Sequence, residues 1–250
     1  MLGQFDGVEV GSEEAWCSVH TTQVDSDANG DGAFILASSD ETQDLRVLDI
    51  RNLPEAREIN IYAHPSPIAN SNLRESSFVH DTTVVDERLY ISYWAGGVMI
   101  VDLERLESGA DEDLSLNHPN RIFPGNFKVH HSHPTTDGNF LLIEDEITYD
   151  PPFSQLRLFD IRDLAAPIEV LAVTLDEPKS APHNLLVRDD LLFVGWYIDG
   201  IRVFRYDVSN PESPRVEQVA FHEVRAKGSL SGFSDIFDGI YGVRLQTCEI

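Results

Sequence analysis

Apolar positions along this chain come in short runs rich in β-branched and aromatic residues, split by stretches that carry Gly, Asp, Asn and Pro. The segments 33–37, 45–49, 89–91, 140–143, 156–160 and 191–196 are of this kind. Short runs bounded by turn formers predict strands, and no stretch holds the 3.6-residue period of a long amphipathic helix. None approaches the roughly 18 consecutive apolar residues of a membrane-crossing helix. The pattern predicts an all-β chain.

The runs repeat as a unit. The segment from His80 to Val101 aligns without a gap on the segment from His183 to Phe204. His80 meets His183, Asp86 meets Asp189, and Leu89-Tyr90-Ile91 meets Leu192-Phe193-Val194. Gly97 meets Gly200, and Val98 and Ile100 meet Ile201 and Val203. Two looser copies begin at His20 and His131. The first leads to Asp25 and the run 33–37, the second to Asp137-Gly138 and the run 140–143. A closing motif recurs as Val47-Leu48-Asp49-Ile50, Ile100-Val101-Asp102-Leu103 and Leu158-Phe159-Asp160-Ile161, with a looser form over Val203 to Val208. A unit of roughly 45–60 residues with four strands has the size of a propeller blade, and its sheet must stack on neighbours to bury both faces. The expectation is a single β-propeller domain over 1–250, with units near 15–64, 76–118, 128–175 and 180–222. A partial unit at 226–247 rests on Ser234 to Tyr241, which matches the region of Ser92 to Met99. The N-terminal segment around Gln4-Phe5-Asp6 is a candidate to complete it. Five blades are expected, with part of a larger propeller as the alternative. Insertions such as 106–113 and 149–154 are expected to be surface loops.

The closing motif resembles the repeat of the LVIVD-repeat propellers, including the related choice-of-anchor surface proteins. The stretch from His131 to Asp160, with Ser132-His133-Pro134-Thr135-Thr136-Asp137-Gly138-Asn139-Phe140, is similar to a segment of that group. So are Pro182-His183-Asn184 and Ser234-Asp235. The resemblance runs from about His20 onward and implies a secreted or cell-surface propeller whose molecular role is mostly undefined; the expected partner is an unknown protein or small-molecule ligand. The shortened C-terminal unit departs from the pattern. A more distant similarity is to selenium-binding or methanethiol-oxidase-like propellers, which are metal-dependent enzymes with histidines in the channel.

Charge narrows the partners. Asp plus Glu number 43 against 18 Lys plus Arg, a formal net charge of -25. Duplex nucleic acid and anionic membrane surfaces repel such a chain. The cations are almost all arginine; Lys128, Lys179 and Lys227 are the lysines. An acid-rich, lysine-poor surface stays hydrated where strong salt screens its self-repulsion, which reads as salt adaptation, a halophilic trait. Residues 1–14 have neither the basic start nor the apolar stretch of a secretory leader. Either the protein stays in the cytoplasm or its leader lies outside this chain. Cys17 and Cys248 are too few for a disulfide framework and lack zinc-site spacing; one bridge or two free thiols remain open.

Three features carry candidate chemistry. His20, His80, His131 and His183 head successive units, where equivalent positions of stacked blades converge on the channel. Such imidazoles suit zinc, copper or iron; equally, they could donate structural hydrogen bonds or line a metal-free pocket. In the run His130 to His133, alternation places His131 and His133 on one strand face, and His133 joins the candidate set. Glu144, Asp145 and Glu146 could add a carboxylate ligand or orient an imidazole, or be solvated like most acids of this chain. Finally, Asp25, Asp27, Asn29 and Asp31 carry oxygen at alternate positions with Gly30 sixth, the first half of a calcium loop. Leu36 stands where the bidentate Glu belongs, which excludes an EF-hand and leaves a calcium-stabilised hairpin or a plain Asn-Gly turn. Phosphate-binding loops and nucleophile elbows are absent from the sequence. The function expected is a binding or interaction scaffold with a metal at the channel. The alternative is a metal-dependent, oxidoreductase-like enzyme using the histidine cluster.

Overall fold

The computed structural model describes residues 19–26, 32–39, 44–52, 56–62, 78–107, 121–122, 128–146 and 154–222. These form two compact units that divide between Phe123 and Pro124. The first unit holds two four-stranded antiparallel sheets. One is built from β1 (Thr22–Ser26), β2 (Gly32–Ser38), β3 (Leu45–Asp49) and β4 (Arg57–Tyr62), the other from β5 (Asp81–Val85), β6 (Arg88–Ser92), β7 (Val98–Asp102) and β8 (Arg121–Ile122). The second unit repeats the plan. Its sheets are β9 (Val129–Pro134), β10 (Phe140–Asp145), β11 (Leu156–Asp160) and β12 (Ile168–Val173), then β13 (His183–Arg188), β14 (Leu191–Trp196), β15 (Gly200–Asp207) and β16 (Arg215–His222). Each sheet is a meander in chain order, so every pairing is local.

The apolar runs are the middle strands. These read as near-continuous hydrophobics because most of their residues are buried. In the first unit Leu36, Leu45 and Val47 pack with Leu89, Ile91 and Val101 of the neighbouring sheet. In the second, Phe140, Leu142, Leu156 and Leu158 pack with Leu192, Val194, Phe204 and Tyr206. Burying each such side chain stabilises the stack by about 1.5–3 kcal/mol.

The repeat seen in the sequence is also a repeat of register. Phe34 pairs with Asp49, Arg88 with Asp102, Phe140 with Asp160 and Leu191 with Arg205. The pairing of third and fourth strands shifts between Val47 and Leu48, between Leu158 and Phe159, and between Val203 and Phe204, which are matching places. Such bulges raise the local twist of an outer strand. Arg46 then reaches the buried Glu58 of β4, and Arg157 reaches Glu169 of β12. The closing aspartate is a turn device. Asp49, Asp102, Asp160 and Asp207 each accept the backbone N–H two residues on, at 3.0–3.1 Å.

The start of the 106–113 insertion differs from the expected loop. Asp102 caps a short helix, α1 (Leu103–Glu107), and Leu106 is fully buried in the first unit's core. Tyr62 donates to the Leu106 carbonyl at 3.3 Å and ties the helix to β4. Residues 226–247, Gln4 to Asp6, Cys17 and Cys248 lie outside the described residues.

Candidate functional site

In the first unit the head of each inner strand is set by one backbone bond. His20 N–H donates to the Ser38 carbonyl at 2.9 Å, and His80 N–H to the Ser92 carbonyl at 2.8 Å. The two histidines therefore stand on matching rungs. Their rings meet edge to face with centroids 4.3 Å apart, His20 exposed and His80 buried. The outer face of the pair is aromatic. His80 stacks on Trp94 at 4.7 Å, and Phe78 lies 5.5 and 5.6 Å from the two rings. Thr21 and Ser38 hydroxyls both donate to the His80 carbonyl at 3.1 Å. Asp81 is buried beside them. Desolvation pushes its carboxyl up to about 7, against the opposing pull of the Thr82 N–H at 2.7 Å and of His20.

The second unit uses bulges at the same places. Ser132 pairs with Ile143 and Val129 with Asp145, so His130 and His131 together oppose the single residue Glu144. Two residues against one is a β-bulge, a device that re-aims side chains. On β13, His183 pairs with Gly195 and Leu185 with Val194, with Asn184 inserted at φ +53°. Asn is among the few residues that tolerate this left-handed backbone. The insertion moves His183 one rung along. It occupies the place of Asp81, which pairs with Ser92, although the gap-free alignment matches it to His80.

These bulges gather a cluster inside the second unit. The His130 and His183 rings have centroids 4.0 Å apart, and Tyr197 lies 4.6 Å from His183. His130 Nε2 is 3.8 Å from Glu146 Oε2, and the Tyr197 hydroxyl donates to Glu146 Oε1. His130 is buried; His183, Glu146 and Tyr197 are half-buried. Glu146 is fixed by its own N–H, which donates to the Lys128 carbonyl at 3.2 Å. The His130 imidazole and the Tyr197 hydroxyl thus both approach the Glu146 carboxylate, while the His183 ring packs against the other two rings.

His131 and His133 are engaged differently. His131 Nδ1 accepts the Leu185 N–H of β13 at 3.2 Å, so its ring joins two neighbouring sheets of the unit. Burial pushes its pKa down to about 4, which keeps it neutral, with the proton on Nε2. His133 Nδ1–H donates to the Pro134 carbonyl at 2.8 Å, and burial pushes its pKa down to about 4 as well. Of the acidic run, Glu144 and Asp145 are fully buried rather than solvated, because β10 is covered on both faces. Asp145 accepts the Lys128 N–H at 3.2 Å.

Sequence reasoning passed over Tyr197. Its signal is the alignment with Trp94, since both stand at the same distance from the start of a sheet's second strand. Trp94 sits at φ +49° and Tyr197 at φ +28°, values bulky residues seldom adopt, and each lays its ring on a histidine. Glu146 occupies the matching position after β10. The Tyr197 backbone is held by the turn Tyr197–Asp199. There Asp199 accepts from Lys179 N–H and Ser180 Oγ at 2.9 and 2.7 Å, and Trp196 Nε1 donates to the Ser180 carbonyl at 2.9 Å.

Of the calcium candidates, Asp25 lies on β1 paired with Phe34, and Asp27, Asn29 and Asp31 fall outside the described residues. No helix among the described residues is long and apolar enough to cross a membrane.

No protein-family model matches the sequence, and no curated protein matches it. Solved structures do. The periplasmic gluconolactonase PpgL of Pseudomonas aeruginosa matches with a TM-score of 0.57 and 16% identity, over 81% of this chain and 57% of that one. The β-propeller domain of Cps50 (Swd1) from Myceliophteria thermophila matches with a TM-score of 0.52 and 10% identity, over 78% of this chain and 57% of that one. The chain thus spans little more than half the length of either. At these identities the likeness concerns the fold. With four sheets of four antiparallel strands in chain order, that fold is a β-propeller.

Proposed function

We propose that this propeller is a binding scaffold of the LVIVD-repeat kind whose second unit holds a transition-metal ion at His130 and Glu146. The observation that carries the reading is the approach of His130 Nε2 to Glu146 Oε2, beside the bulge on β9. Imidazole and carboxylate together suit zinc, copper or iron. Ligands each about 2.0–2.1 Å from one tetrahedral ion stand about 3.3 Å apart. The 3.8 Å between His130 Nε2 and Glu146 Oε2 is a small adjustment from that. His131, with Nδ1 accepting a backbone N–H, serves as a structural pin beside the site. An oxidoreductase reading shares the second-unit site and requires copper or iron there.

Elemental analysis of the purified chain tests the proposal. One equivalent of zinc, copper or iron, lost in His130→Ala/Glu146→Gln and kept in His131→Asn, is the expected result. Protein that is purified without metal and takes up none of the three ions on titration overturns it.

A further inference from the structure

We propose that Tyr197 is the positioning residue of the metal site in the second unit: its hydroxyl holds the Glu146 carboxylate so that one oxygen, Oε2, faces an ion bound with His130. The inference rests on the metal reading above and adds the group that orients its carboxylate ligand.

A glutamate is a loose ligand unless something holds it. The last torsion of its side chain is broad and nearly two-fold, so either oxygen, or both, can turn to an ion. In the second unit the two oxygens are engaged separately. The Tyr197 hydroxyl donates to Oε1, and Oε2 lies 3.8 Å from His130 Nε2. The Glu146 backbone is fixed as well, since its N–H donates to the Lys128 carbonyl at 3.2 Å. A hydrogen bond on one oxygen and an anchored backbone leave the carboxylate one orientation. Carboxylates that ligate metals are held by outer partners in this way, and the partner sets the direction in which the ligand points.

The phenol is placed there against backbone preference. Tyr197 sits at φ +28°, which a residue with a Cβ adopts only where its surroundings enforce it. The enforcing contacts lie on the residues that flank it. Asp199 accepts from the Lys179 N–H and from Ser180 Oγ, and Trp196 Nε1 donates to the Ser180 carbonyl. The His183 ring packs 4.6 Å from the Tyr197 ring and 4.0 Å from the His130 ring, and so steadies both. The matching position in the first unit is a control within the chain. Trp94 also has a positive φ and lays its ring on His80, but an indole carries no hydroxyl. The backbone device is common to both sheets, whereas the phenolic hydroxyl is particular to Tyr197.

The full chain, stripped with chelator, is titrated with ZnCl2 in concentrated KCl, and affinity is read by competition against a chromophoric chelator. The geometry of Glu146 is read from infrared difference spectra, zinc-bound minus metal-free. Bands missing from the Glu146→Gln difference spectrum are those of Glu146. A carboxylate bound through one oxygen splits its two stretching bands more widely than one bound through both. Wild type is expected to show the wide splitting. In Tyr197→Phe, which keeps the ring beside His183, zinc affinity falls roughly 10–100-fold and the splitting narrows. Trp94→Phe retains wild-type affinity and splitting. Circular dichroism matching wild type shows that Tyr197→Phe folds. Narrow splitting in wild type overturns the proposal without any substitution. So does a Tyr197→Phe protein with wild-type affinity, or one whose affinity falls while the splitting stays wide; in all three cases the zinc site itself stands. Wild type that binds no zinc overturns both readings.

Discussion

Replacing His131 separates a histidine that holds the fold from one that holds a ligand. The ring is 5% exposed, and its Nδ1 accepts the N–H of Leu185, a residue 1% exposed. His131→Leu removes the acceptor and fills the space with carbon. The Leu185 N–H then stays buried without a partner, which costs about 1–3 kcal/mol. His131→Ala adds a cavity, bringing the loss to about 2–4 kcal/mol. His131→Asn places an amide oxygen close to where Nδ1 stood and recovers about 1 kcal/mol. In a chain of this length each kcal/mol moves Tm by roughly 2–4 °C, so His131→Ala should melt roughly 5–15 °C below wild type, with His131→Asn in between. Thermal melts in concentrated KCl, paired with metal analysis of the same samples, read both properties. All three variants should keep the metal content of wild type. A His131→Ala protein that melts like wild type, or one that loses its metal, refutes the assignment of this ring to the fold.

Two further predictions concern the repeat's turn and bulge. The Arg51 guanidinium beside Asp49 holds its carboxyl down to about 2, below the 3.8 of a free side chain. The stabilisation is therefore present above pH 4 and lost as pH falls from 3.8 towards 2. Because Arg51 is 60% exposed, its magnitude is about 1 kcal/mol rather than the full linkage value. In urea unfolding, Arg51→Ala should be less stable than wild type at pH 6 by that amount, with the gap closing in acid; a gap that ignores pH would contradict this origin. At Asn184, φ +53° makes Ala strained and Gly free. Asn184→Ala should lose about 1–2 kcal/mol and Asn184→Gly well under that, and equal unfolding midpoints for the two would show that the bulge relaxes.

Much of the fold could be read from the sequence because a repeat states the same packing rule several times. Leu36, Leu142 and Leu192 are each flanked by apolar neighbours, and each is buried in the core of its unit. The closing aspartates were visible as a motif. Their use, accepting the N–H two residues on, follows from the reach of a short carboxylate. The histidines at the unit heads were also visible, but their rungs were not. Alignment counts residues, whereas a bulge changes how many residues span a rung. For this reason His130 enters the cluster while His131, one residue on, turns to the Leu185 N–H.

The same logic explains why the site was harder to see than the fold. Repeat analysis favours positions that match, and these mostly face the core, where every sheet meets the same packing constraint. The positions after the second strands read Trp94, Glu146 and Tyr197, and as a set of matches they look like noise. In the structure each of the three stands beside a histidine, at 4.7 Å between rings for Trp94, 3.8 Å between atoms for Glu146 and 4.6 Å between rings for Tyr197. A scaffold that keeps the position while varying the atom it presents can bind something different at each sheet. Exchanging the presented atoms is therefore a sharper probe of binding than removing the histidines, whose loss mixes ligand chemistry with the packing between sheets.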